Sequence, residues 1–157
     1  MQQSDIPDVT LRFLLRAGEA ISESLDYERT LTNVVQQAVP DIADWCAVDL
    51  LVAQGRLRRL ALAHPDPEKI ALAQVLQSRY PDDPNSETGT YARLRRRSTD
   101  WMEDIPDEVI ASAARDQEHL TLIRQLGLRS YIAVPLVADQ NALGLLTLVY
   151  AESGRRY

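Results

Sequence analysis

Apolar positions along the chain change period several times, and each change marks an element. From Val9 to Leu25 the positions Leu11, Leu14, Gly18, Ile21 and Leu25 recur at alternating spacings of three and four. That spacing predicts a helix with one narrow apolar seam, suited to packing against another helix. Asp26 is a natural N-cap for a second helix to about Val39, with Leu31, Val34, Val35 and Ala38 on one face and Pro40 closing it. The period then shortens. Trp45 to Ala53 reads as a buried strand, Gln54-Gly55 as a tight turn, and Leu57 to His64 as its hairpin partner. In the second strand Ala61 and Ala63 are small enough to let another layer approach closely.

Helical spacing returns at Glu68 to Tyr80, followed by the turn-rich loop PDDPNSET over 81–88. Gly89 to Arg97 predicts a short helix and Thr99 to Met102 a short strand, and Pro106 fits the first residue of a further helix. Asp116 to Leu126 is a helix stopped by Gly127 in the left-handed conformation. Strands at Leu128 to Ala138 and Leu143 to Ala151 are joined by Asp139-Gln140-Asn141. Hairpins at both ends with helices between them predict an α+β class with an antiparallel sheet. Residues 1–8 are expected to fray, and 9–157 to form one domain.

Composition narrows the function classes. The chain has 157 residues, 45% hydrophobic and 25% charged, with a net charge of −6. An acidic surface repels nucleic acid and anionic membrane, so neither is expected as a partner. No apolar run approaches a membrane span, and the single cysteine, Cys46, cannot form an internal disulfide. The expected compartment is the cytoplasm.

The segments LDYERTLTNVVQQAVPDIADWCAVDLL, GRLRRLALAH and LGLRSYIAVPLVADQNALGLLTLVYAESGRRY together resemble a GAF domain. The most specific part is R-S-x-x-x-V-P-L followed by G-x-L-x-L in the last hairpin. The resemblance is to GAF modules of bacterial sensor histidine kinases and PP2C-like regulatory phosphatases. It implies a PAS-like antiparallel sheet in the order 2-1-5-4-3 with helices on both faces. It further implies a non-catalytic sensory module that binds a small ligand or a partner domain. Such a module is expected to dimerise and to signal to an output domain of the same chain. In the family a final helix commonly follows the sequence that here ends SGRRY, so a longer protein is expected. The seam at Leu11, Leu14, Gly18, Ile21 and Leu25 is the candidate homodimer interface, or equally a face that the family's final helix covers. A structural dimerisation module without a ligand is the alternative.

Candidate chemistry is sparse. Phytochrome-related GAF domains carry a Cys-His pair whose cysteine holds a linear tetrapyrrole; here the pair is Glu118-His119, so covalent bilin attachment is not expected. His119 or His64 offers an axial nitrogen, but nothing else in the sequence supports haem. The N-K-x-n-F-x-x-x-D-E signature of cyclic-nucleotide binding is absent, Lys69 and Phe13 being the only residues of their types. Two histidines and one cysteine, all well separated, give no metal-ligand spacing, and no nucleophile motif points to catalysis. No cofactor, metal or catalytic residue is therefore predicted. A sulfoxide reductase working through cysteines would need an accessible thiolate and a resolving partner, which Cys46 in a core strand does not offer.

By analogy with the family cavity, Tyr91, Trp101, His119 and Tyr131 are the candidate ligand-binding residues, although core packing explains each equally well. His119 also reads simply as a surface or capping histidine. The cluster Arg93, Arg95, Arg96 and Arg97 suits the C-terminal end of a helix dipole, with an anionic partner as the sharper alternative.

Overall fold

A computed structural model describes residues 26–157. The predicted helix Val9–Leu25, with its seam, and the N-terminal stretch before it lie outside the described residues. Helix α1 covers 26–38; β1 (Trp45–Val52) and β2 (Arg56–Ala63) form the first hairpin. Helices α2 (Pro67–Arg79) and α3 (Gly89–Arg96) lead to the short edge strand β3 (Asp100–Met102). Helices α4 (Asp107–Ala113) and α5 (Gln117–Leu126) precede the second hairpin, β4 (Ser130–Ala138) and β5 (Asn141–Tyr150). All neighbouring strands pair antiparallel in the order β2-β1-β5-β4-β3, as the resemblance implies.

Most differences from the sequence reading are at element ends, where caps decide. Asp26 is itself helical and is not the N-cap. Pro106 is the extended N-cap of α4, one place before the helix it was expected to begin. Asp66 and Asp116 cap α2 and α5 by accepting from Glu68 N and His119 N. Gln54 and Gly55 both have positive φ, as do Asp139 and Gln140, so both hairpins turn through two left-handed residues.

The two faces of the sheet have different covers. Leu31, Val35 and Ala38 of α1 pack on Cys46, Val48 and Leu50 of β1 and on Ala61 and Ala63 of β2. The two alanines bring the helix close. Val34 is 42% exposed on the flank of this stripe, because the i, i+4, i+7 row of 31, 35 and 38 already faces the sheet. On the opposite face Ala73 of α2 joins Trp45, Val149 and Ala151, and Leu94 of α3 joins Ala133 and Leu145.

A β-bulge sets what this second face carries. Val48 pairs with Ala61 but Asp49 pairs with Arg59, leaving Leu60 as the extra residue. Simple alternation would place Arg59 beside Ala61 and Ala63, under α1. The bulge turns it to the other side, where it forms a two-pronged ion pair with buried Asp49, at 2.9 and 3.0 Å.

The chain after β5 is tied back to the start of β1. Buried Asp44 accepts from Ala151 N at 2.6 Å and from Ser153 N and Oγ at 3.0 and 2.7 Å. Arg155 donates to the carbonyls of Pro40 and Asp41 and lies over the Tyr150 ring. Burial alone would raise the pKa of Asp44, but these hydrogen bonds and Arg155 outweigh it and hold the carboxyl below its ordinary 3.8.

Two outcomes follow from this packing. A Cβ on Gly144 would stand 2.3 Å from the Asp49 carbonyl oxygen and 3.1 Å from Leu50 Cα. Gly144→Ala should therefore destabilise by about 1–3 kcal/mol and lower Tm by roughly 3–10 °C in a thermal melt. Asp44→Ala should cost about 2–3 kcal/mol in urea unfolding, because Ala151 N is left buried without an acceptor. The depressed pKa sets the sign: the wild-type contribution of Asp44 is full above its unfolded pKa and is lost as pH falls through the lower folded one. The gap between wild type and variant should accordingly close in acid.

Candidate functional site

Between the second sheet face and its helices lies a cleft in two connected parts. The larger, about 620 Å³, is bounded by the 81–88 loop, the start of α3, the end of α4 and α5. The smaller, about 300 Å³, lies between α2 and α5 above Arg59, with Ala73, Leu76, Ile123, Leu126 and Leu128 as its apolar lining. Tyr80, Asp82, His119 and Ile123 border both parts.

The wall between the parts is a stacked pair. Tyr80 and His119 lie with ring centroids 4.0 Å apart and planes 4° from parallel. The Tyr80 hydroxyl donates to the Asp116 carboxylate at 3.0 Å, which also accepts His119 N at 2.8 Å. His119 Nδ1 accepts from Arg115 N at 3.0 Å, so this nitrogen carries no proton and the neutral imidazole carries it on Nε2. Among the described residues Nε2 has no hydrogen-bond partner. The residue is 9% exposed, and desolvation, helped by the Arg115 charge and partly opposed by Asp116, lowers its pKa from 6.5. His119 thus presents a neutral N–H donor to the cleft. Asp116 makes the cap of α5, the His119 ring holds Arg115 N just ahead of it, and the same ring lines the cavity.

Charged groups of both signs meet here. Arg59 uses Nε and Nη2 on Asp49, and its other donors have no partner among the described residues. Asp82 has no ion-pair partner among the described residues. Desolvation in the cleft and then the nearby Asp49 raise its pKa, against the opposing pull of Arg59, Thr90 and Arg115. Arg115 donates to the Pro81 carbonyl, tying α5's approach to the loop.

The arginine cluster holds that loop. Arg95 donates to the Pro84 and Ser86 carbonyls, Arg96 to Glu87 O at 3.1 Å, and Arg97 to Gln140 O at 2.6 Å. Arg93 turns inward, pairing with Asp100 at 2.7 Å and donating to the Tyr131 hydroxyl at 3.1 Å, above whose ring it sits. These guanidinium groups satisfy loop carbonyls that a short segment of irregular backbone leaves open.

Of the four aromatic candidates, the structure places His119 in the cleft walls. Tyr131 is next to it through Arg93, which lines the larger part. Tyr91 and Trp101 do not line the cleft. Tyr91 faces the β1–β2 hairpin and its hydroxyl accepts from Leu57 N at 3.1 Å, because Gly89, Thr90 and Arg93 hold the cleft side of α3. Trp101 is 59% exposed, in register with Ile132, on the α1 side of the sheet; its strand neighbours Asp100 and Met102 take the cleft side.

Sequence reasoning missed Tyr80, Asp82 and Arg59. A signal existed for the last: Asp49 is a lone charge in the apolar strand WCAVDLLVA, and a buried carboxylate demands a cationic partner. Glu118 is exposed and pairs with Arg79, while Cys46 is buried beneath α1 on the opposite sheet face. Among the described residues no group of three His, Cys, Asp or Glu side chains clusters to hold a metal, and no helix is long and apolar enough to cross a membrane.

No curated protein matches the chain. Among solved structures, the GAF domain region of a Geobacter sulfurreducens PCA protein has a TM-score of 0.58 at 14% identity, over 84% of this chain and 80% of that one. The photoproduct state of GAF3 from Slr1393 of Synechocystis sp. PCC6803 has a TM-score of 0.54 at 17% identity, over 85% and 80%. NreA from Staphylococcus aureus, mutated in its nitrate binding site, has a TM-score of 0.50 at 11% identity, over 88% and 92%. At such identities the likeness is one of fold. The GAF domain profile itself matches residues 26–156, spanning both hairpins and every helix between them, and the chain belongs to the GAF domain family.

Proposed function

We propose that this GAF domain is a non-catalytic sensory module that binds a small molecule in the cleft beside His119 and passes the event to an output domain of the same signalling protein. The observation that carries the reading is the buried His119 ring, with a neutral Nε2–H uncommitted at the junction of the two parts. That N–H opens onto the cleft, where the acceptor of a ligand can take the place of the water that reaches it. The volume suits a small ligand, and the smaller part's mainly apolar lining beside the polar larger part suits a ligand with an apolar and a polar end. GAF domains serve as sensory signalling modules, which agrees with this use.

Binding without a covalent bond is favoured by the chemistry of the chain. Glu118 cannot form a thioether, and burial pushes the Cys46 thiol up to about 11, leaving almost no thiolate at neutral pH. The same property argues against thiol catalysis.

A route outward starts at the cleft wall. Lys69 of α2 donates to the Gln125 carbonyl at the end of α5 and pairs with Glu152 at 3.3 Å, while His64 meets Glu152 at 3.3 Å. Beyond Gly127, Ser130 Oγ accepts from Tyr157 N at 3.0 Å. A ligand that prefers one spacing of α2 and α5 biases the segment after β5 by population shift. Dimerisation through Leu11, Leu14, Gly18, Ile21 and Leu25 would carry that bias between two copies.

The test is retention. Protein incubated with a small-molecule extract of its producing cells and cleared by gel filtration should show a bound mass in native mass spectrometry. His119→Asn keeps an acceptor near the Nδ1 position and removes the Nε2–H; it should weaken retention about tenfold, the worth of one buried hydrogen bond. An empty wild-type domain after this treatment would favour a scaffold without a ligand.

A further inference from the structure

The smaller part of the cleft has a polar end and an apolar body, and the polar end carries charges of both signs. Among the described residues Arg59 is paired with Asp49 and retains donors, and Asp82, exposed on its loop beside Thr90, faces the same space without an ion-pair partner. The charge of Arg115 is near enough to act on both Asp82 and His119. The lining of the smaller part thus offers one guanidinium and one carboxylate. A bare anion or a bare cation would engage only one of these groups, whereas a ligand bearing one charge of each sign engages both. Behind these groups Ala73, Leu76, Ile123, Leu126 and Leu128 supply an aliphatic lining, which Gln77 borders.

We propose that the ligand is a small aliphatic zwitterion of the amino-acid class. Its ammonium sits on the Asp82 carboxylate, its carboxylate takes the free Arg59 donors and the His119 Nε2–H, and its side chain lies on the apolar lining. This rests on the sensory reading above and deepens it. Asp82 and Arg59 share one lining, which suits a molecule carrying both charged groups, and the roughly 300 Å³ of space favours a compact one. Each charged group meets a partner of opposite sign with directed hydrogen bonds, the arrangement in which charge-assisted bonds are strongest.

The probes are alanine, valine, leucine, isoleucine and methionine, each compared with the acid lacking its amine and the amine lacking its carboxylate. At least one amino acid should raise Tm in a saturable way and bind in calorimetry, while its two truncated counterparts bind at least tenfold more weakly. Asp82→Asn keeps the shape and removes the charge; it should weaken that amino acid at least tenfold while leaving the ligand-free Tm within a degree or two of wild type. Binding of the bare acid or amine as tightly as the amino acid would overturn the proposal. So would unchanged affinity in Asp82→Asn, or no response to any of the five. Retention of a different compound from cell extract, with no response to the amino acids, would overturn this assignment and leave the sensory cleft standing. An empty domain in both experiments would remove both.

Discussion

The pairing of β1 with β5 is the constraint from which the other features of the domain descend. Each hairpin is local and closes on its own short turn of three or two residues, but only the β1–β5 ladder, running from Trp45 opposite Val149 to Leu50 opposite Gly144, joins them into one sheet. It pairs segments about a hundred residues apart, and the loop-closure entropy of that contact has to be offset by burial on both faces. Both faces do become buried: Cys46 and Val48 under α1, Trp45 and Leu145 under the cleft helices. The ladder is also so close at Gly144 that no side chain fits there. Glycine at this position is demanded by the neighbouring strand and not by its own backbone angles.

The ladder then determines where charge can be placed. Asp49 lies in the centre of the sheet, next to β5, where water cannot reach it. A carboxylate there is tolerable only with a guanidinium on the same face, and the bulge at Leu60 supplies one by re-aiming Arg59. One extra residue in an edge strand thereby changes a surface arginine into part of the floor of a cavity. Around that floor the 81–88 loop is held from outside by the arginines of α3 and from inside by Arg115, so that Asp82 faces the cleft. The loop has little regular structure of its own; its carbonyls are satisfied by side chains.

His119 connects these layers. Its backbone N–H completes the cap of α5, its Nδ1 satisfies Arg115 N, its ring stacks on Tyr80, the residue after α2, and its Nε2–H is left over. Three of these four functions are structural and would be adequate reason for a histidine here. The fourth faces the cleft. Lys69 of α2 joins the Gln125 carbonyl at the end of α5 to Glu152 in the segment after β5. The cleft helices and that segment are therefore in direct contact.

Much of this was legible in the residues alone. Period-two and period-four patterns located the strands and helices, and glycine and aspartate chemistry located the turns, because these signals depend on neighbours within a few residues. The last hairpin's motif carried the family, and through it the strand order. Which face each side chain would take was decided only by tertiary structure. Trp101 and Tyr91 fell outside the cleft because strand alternation and helix phase, referred to partners distant in sequence, placed Asp100 and Arg93 there instead. Arg59 came inside through a bulge that exists only once β1 and β2 are paired. Sequence specifies local geometry through local sterics and hydrogen bonding; a site assembled from five separate segments exists only after long-range pairing has set the register and phase of each.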